Sequence, residues 1–140
     1  MDTPFLSLVI PAFNEERRIL PTLKQVTDYL SAQSYTWAVL VVDDGSSDTT
    51  AALVQGFAEQ YPEVSLLSLP HAGKGSAVRA GMLQTTGEYR FLCDADLSMP
   101  IDHLKRFLPP QRTDFDIAVG SREAPGARRF QEPRLRHLQG

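Results

Sequence analysis

The chain alternates short apolar runs with longer segments of helical period. Leu6–Ile10 is apolar and rich in β-branched residues, and Pro11 closes it, which predicts a buried strand. The polar turn Asn14-Glu15-Glu16-Arg17-Arg18 follows. Pro21 then suits the first turn of a helix whose buried face is Leu20, Leu23, Val26, Thr27 and Leu30. Trp37–Val42 predicts a second strand, ending at Asp43-Asp44-Gly45. Ser46 or Ser47 is the expected cap of the next helix, with Asp48 in its first turn and Leu53, Val54, Phe57, Ala58 and Tyr61 on its inner face.

Val64–Leu69 predicts a third strand, and the loop His71-Ala72-Gly73-Lys74-Gly75 leads to a helix over Ser76–Thr86. Its Ala77, Ala80 and Gly81 let it lie close to a sheet, and Gly87 is the expected C-cap. Tyr89–Cys93 predicts a fourth strand, ending at Asp94-Ala95-Asp96. Ser98 and Pro100 mark another helix start, with Ile101, Leu104, Phe107 and Leu108 on its buried side. Phe115–Val119 predicts a fifth strand before Gly120-Ser121-Arg122, and the last eighteen residues have no clear period. Strands alternating with helices imply an α/β fold, a mostly parallel sheet with helices on both faces. Ligands of such sheets bind beyond the carboxyl ends of the strands. A polar cluster stands at each of those ends.

Charge changes the picture near the C-terminus. Net charge is −3 over 140 residues, so the whole chain has no general basic signature for nucleic acid. Residues 121–140, however, hold five arginines against two glutamates, and the first 120 residues are correspondingly acidic. A basic tail after an acidic body points to a phosphate-bearing partner, or else to a solvated end. The single cysteine excludes an internal disulfide and a cysteine zinc cluster, and fits a reducing compartment. No signal peptide is recognisable, and no run approaches the roughly 20 apolar residues of a membrane span. A cytoplasmic location or the cytoplasmic face of a membrane is expected, with membrane contact either peripheral or supplied by sequence beyond these residues.

The candidate chemistry lies in the strand-end clusters. Asp94 and Asp96 are two apart, and in an extended segment such side chains point the same way. Together they suit a hard divalent cation and, through it, a diphosphate; alternatively one holds a ribose hydroxyl, or both are solvated turn acids. Ser98 either joins that shell or caps the helix, the cap being the expected role. Asp43 and Asp44 can accept an N–H from a base or a hydroxyl from ribose, while Asp-Gly also makes a turn. Lys74, between Gly73 and Gly75, brings a point charge where backbone can approach a ligand. The loop is not a P-loop, because Gly75 follows the lysine where Ser or Thr is required. No G-x-G-x-x-G follows the first strand, which argues against a dinucleotide oxidoreductase. A receiver-like regulatory domain also gathers acids and a lysine at strand ends, and stays open as an alternative. His71 and His103 are isolated and are assigned no ligand role.

Four segments, in order, resemble the family 2 glycosyltransferases of the GT-A fold: Ser7-Leu8-Val9-Ile10-Pro11-Ala12-Phe13-Asn14-Glu15-Glu16, Val41-Val42-Asp43-Asp44-Gly45-Ser46-Ser47-Asp48-Thr49-Thr50, Gly73-Lys74-Gly75 and Asp94-Ala95-Asp96-Leu97-Ser98. Within that family, residues 71–79 and 94–98 are most similar to dolichyl-phosphate β-glucosyltransferases and their prokaryotic relatives. The resemblance implies an inverting, metal-dependent enzyme that moves a sugar, glucose by this likeness, from a UDP-sugar to a polyprenyl or dolichyl phosphate. It implies a uridine site around Pro11, Ala12, Asn14 or Glu15, Asp44 and Lys74, with Asp43, Gly75 and Ala95 contributing to the donor pocket. Asp94 would lie near ribose or diphosphate and share a Mg²⁺ or Mn²⁺ with Asp96. Arg122 would act with Asp96 in catalysis by clamping the diphosphate or a lipid phosphate. Such enzymes continue through an acceptor region, so the resemblance implies a C-terminally truncated chain, with residues 1–122 as nucleotide-sugar domain and 123–140 as the start of that region. A truncated, non-catalytic nucleotide-binding domain is the alternative.

Overall fold

In β1 (Leu6–Ala12) every residue is buried, and β2 (Trp37–Asp43) is buried over its last five. The computed structural model describes residues 3–110. Contacts divide the chain after Lys105, and the fold described here is that of the unit ending there. The expected fifth strand, Arg122 and the basic tail lie outside the described residues.

β1 runs two residues beyond the expected stop at Ile10. Its odd-numbered residues turn their backbone groups toward β4 (Tyr89–Leu92), as the bond from the Cys93 N–H to the Val9 carbonyl shows. The β1–β4 pairing ends at Val9–Leu92. Pro11 therefore has no ladder partner to donate to, and its missing N–H costs nothing.

β3 (Val64–Ser68) completes a four-stranded parallel sheet in the order β3-β2-β1-β4. Ala12, Asp43 and Ser68 share one register line at its carboxyl edge. The chain moves outward from β1 through β2 to β3, then returns to the other side of β1 for β4. This reversal opens a crevice between the ends of β1 and β4, where such sheets bind ligands.

The helices are α1 (Ile19–Ser31), α2 (Thr50–Gln60) and α3 (Lys74–Gln84). α1 buries Ile19, Thr22, Leu23, Val26, Thr27 and Leu30, one continuous stripe at helical period. Leu20, expected on that face, is 36% exposed because the helix begins at Ile19 and its phase turns position 20 outward. α2 begins after Thr49, later than a Ser46 or Ser47 cap would set it; those serines bond to another loop. α3 begins two residues early, at Lys74. Its Gly81 lies so close to the sheet that a Cβ there would stand 2.4 Å from a Val9 methyl and 3.0 Å from one of Val42. Val9, Leu40, Val42 and Ala77 make one buried cluster on that face. Gly87 is not a C-cap: the cap position is Thr85, and the Gly87 N–H donates to Ser7 Oγ at 2.9 Å. The helix expected after Pro100 is a 3-10 helix, Ile101–Phe107.

Candidate functional site

The loops after β1 and β2 are stitched to each other. Asn14 sits at φ 52°, a conformation asparagine tolerates better than most residues. Its N–H donates to Ser46 Oγ, and its Oδ1 accepts the Ser47 N–H, both at 2.9 Å. The Glu15 N–H donates to Thr50 Oγ1 at 2.9 Å. Glu16 Oε2 accepts from the N–H and hydroxyl of Thr49, while the Glu16 N–H donates to Asp48 Oδ2. Asp48 Oδ1 in turn takes the N–H and hydroxyl of Thr50 at the start of α2. Against a contrary effect of burial, the Thr50 bonds hold the Asp48 carboxyl below its ordinary pKa. Asn14, Glu16 and Asp48 thus brace two loops that would otherwise be held only at their strand ends.

Asp43 ends β2, Asp44 follows it, and both are almost wholly buried. Asp43 Oδ2 accepts the Ser46 N–H at 3.3 Å, whereas its buried Oδ1 has no partner among the described residues. Asp44 is a latch on the loop before α3. Its Oδ1 accepts the Ala72 N–H at 2.9 Å and its Oδ2 the Gly73 N–H at 3.0 Å. His71 Nδ1 lies 2.9 Å from Oδ2. The Ala72 N–H is the main reason that the Asp44 pKa is lowered; burial opposes it, and the Gly73 N–H and His71 add to it. His71 also stacks on Phe13, ring centroids 4.3 Å apart, and Phe13 remains 43% exposed. Gly45, at φ 71°, lets the two loops approach: a Cβ there would stand 2.5 Å from the His71 nitrogen. No local pattern announced His71. Its role comes from a contact 27 residues away along the chain.

Across the crevice, Lys74 Nζ contacts Asp94 Oδ1 at 2.6 Å. Ser98 ties the acid pair together, its hydroxyl donating to Asp94 Oδ2 at 3.2 Å and its N–H to Asp96 Oδ1 at 3.0 Å. It does not cap the following helix. The Thr22 hydroxyl donates to the buried carbonyl of Ala95, so α1 fixes the turn that carries both acids. Arg18 grips Glu15 through two bonds, at 2.7 and 2.9 Å, and its Nη1 lies 3.9 Å from Asp96 Oδ2. Pro11 and Ala12 form the buried floor at the end of β1. Gly75 is exposed, with room for a Cβ.

The structure therefore brings Asp44, Lys74, Asp94 and Asp96 to one edge through the segment 71–74. Asn14 and Glu15 lie on the adjoining loop, with their side chains on Ser47 and Arg18. An open cavity of about 320 Å³ lies along residues 14–18 and Asp48 and touches none of the four. Among the described residues, no group of three or more acidic, histidine or cysteine side chains gathers closely enough to hold a metal alone. Two oxygen donors from Asp94 and Asp96 do suit a hard cation whose other ligands come from a bound diphosphate and water.

Comparison with known proteins identifies the fold and the family. A dolichyl-phosphate beta-glucosyltransferase of Trichomonas vaginalis is 41% identical over 131 residues, which cover 84% of this chain and 40% of that protein. The human dolichyl-phosphate beta-glucosyltransferase is 31% identical, covering 86% of this chain and 41% of its own length. The chain thus spans about two fifths of these relatives. Among solved structures, a mannosyltransferase from Pyrobaculum calidifontis in complex with GDP-Man and Mn²⁺ superimposes with TM-score 0.58 at 29% identity, over 68% of this chain and 28% of that one. The S. aureus TarS fragment in complex with UDP-GlcNAc gives 0.56 at 26% identity, over 65% and 26%. Residues 7–139 match glycosyl transferase family 2, and the chain belongs to that family.

Proposed function

We propose that this chain is the donor-binding part of an inverting glycosyltransferase that moves a sugar from a UDP-sugar to a polyprenyl or dolichyl phosphate. The observation that carries the reading is that Asp44, Lys74, Asp94 and Asp96 are linked at the carboxyl edge of the sheet, through segment 71–74 and Ser98. The relatives named dolichyl-phosphate beta-glucosyltransferase support glucose as the sugar and a lipid phosphate as acceptor.

In this reading Asp44, with Phe13 and His71 beside it, faces the uracil end of the donor. Pro11 and Ala12 floor the uridine pocket, and Asn14, Glu15 and Asp43 hold its walls in place. Lys74, expected at the uridine, pairs with Asp94 and in this reading reaches the diphosphate instead, beside Gly75, with Asp94, Ala95 and Asp96 forming the turn beneath it. A Mg²⁺ or Mn²⁺ held by Asp96 and Asp94 would neutralise charge that builds on the departing diphosphate. Lys74 adds a fixed positive charge to the same group. The acceptor oxygen attacks the anomeric carbon from the face opposite UDP, so the new C–O bond forms as the old one breaks and the configuration inverts. A phosphate monoester, with its second pKa at about 6, is mostly dianionic at pH 7 and needs little help from a base. Arg122 and the basic tail are proposed to meet the diphosphate or lipid phosphate at the cytoplasmic face of a membrane.

Calorimetry tests this with UDP-glucose, GDP-mannose and UDP-N-acetylglucosamine, each with and without Mn²⁺. UDP-glucose should bind best, and only with the cation. Equal binding of all three, or binding indifferent to Mn²⁺, refutes the proposed donor and metal.

A further inference from the structure

Both carboxylates proposed to hold the cation already face a basic side chain, one from the start of α3 and one from the start of α1. Lys74 Nζ is 2.6 Å from Asp94 Oδ1. Arg18 Nη1 is 3.9 Å from Asp96 Oδ2. The Arg18 guanidinium is held in place by its two bonds to Glu15, whose side chain is largely buried. Those bonds use Nε and Nη2, and the Arg18 side chain is more than half exposed, so the Nη1 facing Asp96 is open to a competing anion.

A divalent ion approaching the acid pair meets these two positive charges. Each opposes it from a few ångströms away, and exposure and salt weaken that opposition without removing it. A diphosphate reverses the balance. Its oxygens accept from guanidinium and ammonium groups, Arg in a forked geometry and Lys as a point charge. A diphosphate that drew Arg18 and Lys74 to itself would leave the carboxylates to the cation.

We propose that Arg18 and Lys74 are exchangeable counter-ions of Asp96 and Asp94, and that they confine tight divalent-ion binding to the nucleotide-bound state. The inference rests on the donor-site reading above and adds Arg18 to it as a positioning residue. By reciprocity, the cation tightens nucleotide binding by the same factor as the nucleotide tightens cation binding.

The test is titration of the 140-residue chain with Mn²⁺ alone, following free Mn²⁺ by electron paramagnetic resonance, then repeating the titration with UDP. Arg18→Gln and Lys74→Gln should each tighten Mn²⁺ binding to the nucleotide-free chain by about threefold to tenfold. Each should also shrink the gain that UDP brings. The double variant Glu15→Gln/Arg18→Gln, which removes one charge of each sign, should still bind free Mn²⁺ more tightly than the parent. If only the single Arg18 variant gains, the uncovered Glu15 is the cause and the proposal fails. Unchanged Mn²⁺ affinity in both single variants overturns it as well. Asp96→Ala separates the two ideas. If it leaves UDP-dependent Mn²⁺ binding intact, the donor-site reading is wrong. If it weakens that binding while Arg18→Gln and Lys74→Gln change nothing, only the counter-ion inference falls.

Discussion

Replacing Asp44 by Asn keeps the shape of the latch and removes its charge. The carboxylate accepts two backbone N–H groups, from Ala72 and Gly73, and faces His71 Nδ1. An amide has one acceptor oxygen, so one N–H loses its partner and the surviving bond becomes neutral. A hydrogen bond to a charged group contributes about 1.5–3 kcal/mol, and a neutral one about 0.5–1.5 kcal/mol. The 71–73 loop is open enough for water to reach an orphaned N–H, so the lower ends apply. Two charged bonds, about 3 kcal/mol together, give way to one neutral bond of about 0.5 kcal/mol, so the expected loss is about 2.5 kcal/mol, which for a chain of this size lowers the Tm by about 8 °C. The effect depends on pH with a definite sign. The Asp44 pKa in the folded chain lies below its unfolded value. Its contribution is therefore whole above the unfolded carboxylate range, near pH 4, and drains away as pH falls through the folded value. Differential scanning calorimetry of both chains from pH 7 to pH 3 should show a gap that is constant near neutrality and narrows in acid. A Tm within about 1 °C of the parent at pH 7, or a gap that does not narrow, refutes the latch.

Gly45→Ala should cost about 2–4 kcal/mol, because a side chain at φ 71° is strained and its Cβ would press on the His71 backbone; urea denaturation measures it, and a change below about 0.5 kcal/mol contradicts the close approach. Cys93 has its thiol pKa pushed up to about 12, by burial first and then by Asp94 and Asp96. It should resist iodoacetamide at pH 8 in the folded chain and react once the chain is unfolded, whereas rapid labelling of the native chain would show the site is open.

Much of this architecture could be read from local pattern. The strands are short, mostly apolar runs bounded by turn residues, so their number and succession along the chain through β4 followed directly, whereas the sheet order did not. The strand-end rule also led to Asp44, Lys74, Asp94 and Asp96 before any coordinates. What local pattern missed is held by contacts between distant segments. Ser46 and Ser47 look like helix caps, yet both hydroxyls are engaged with Asn14, so α2 starts later. Ser98 looks like a cap and instead ties Asp94 to Asp96. Leu20 and Ile19 are equally apolar, and only the helix phase decides which is buried. Gly87 looks like a helix end, yet it marks where the backbone passes within reach of Ser7. His71 and Arg18 carried no signal because their partners, Asp44 and Asp96, come from other strand ends.

On this account carboxylates that follow β2 and β4, the two strands flanking β1, share one edge and would hold a cation-bridged uridine diphosphate there. A crystal of the chain grown with UDP and Mn²⁺, measured for anomalous scattering, tests it most directly. The account predicts a peak bonded to an Asp96 carboxylate oxygen and to the diphosphate, with uracil against Asp44. A manganese peak elsewhere, or UDP seated away from the ends of β1 and β4, would contradict it.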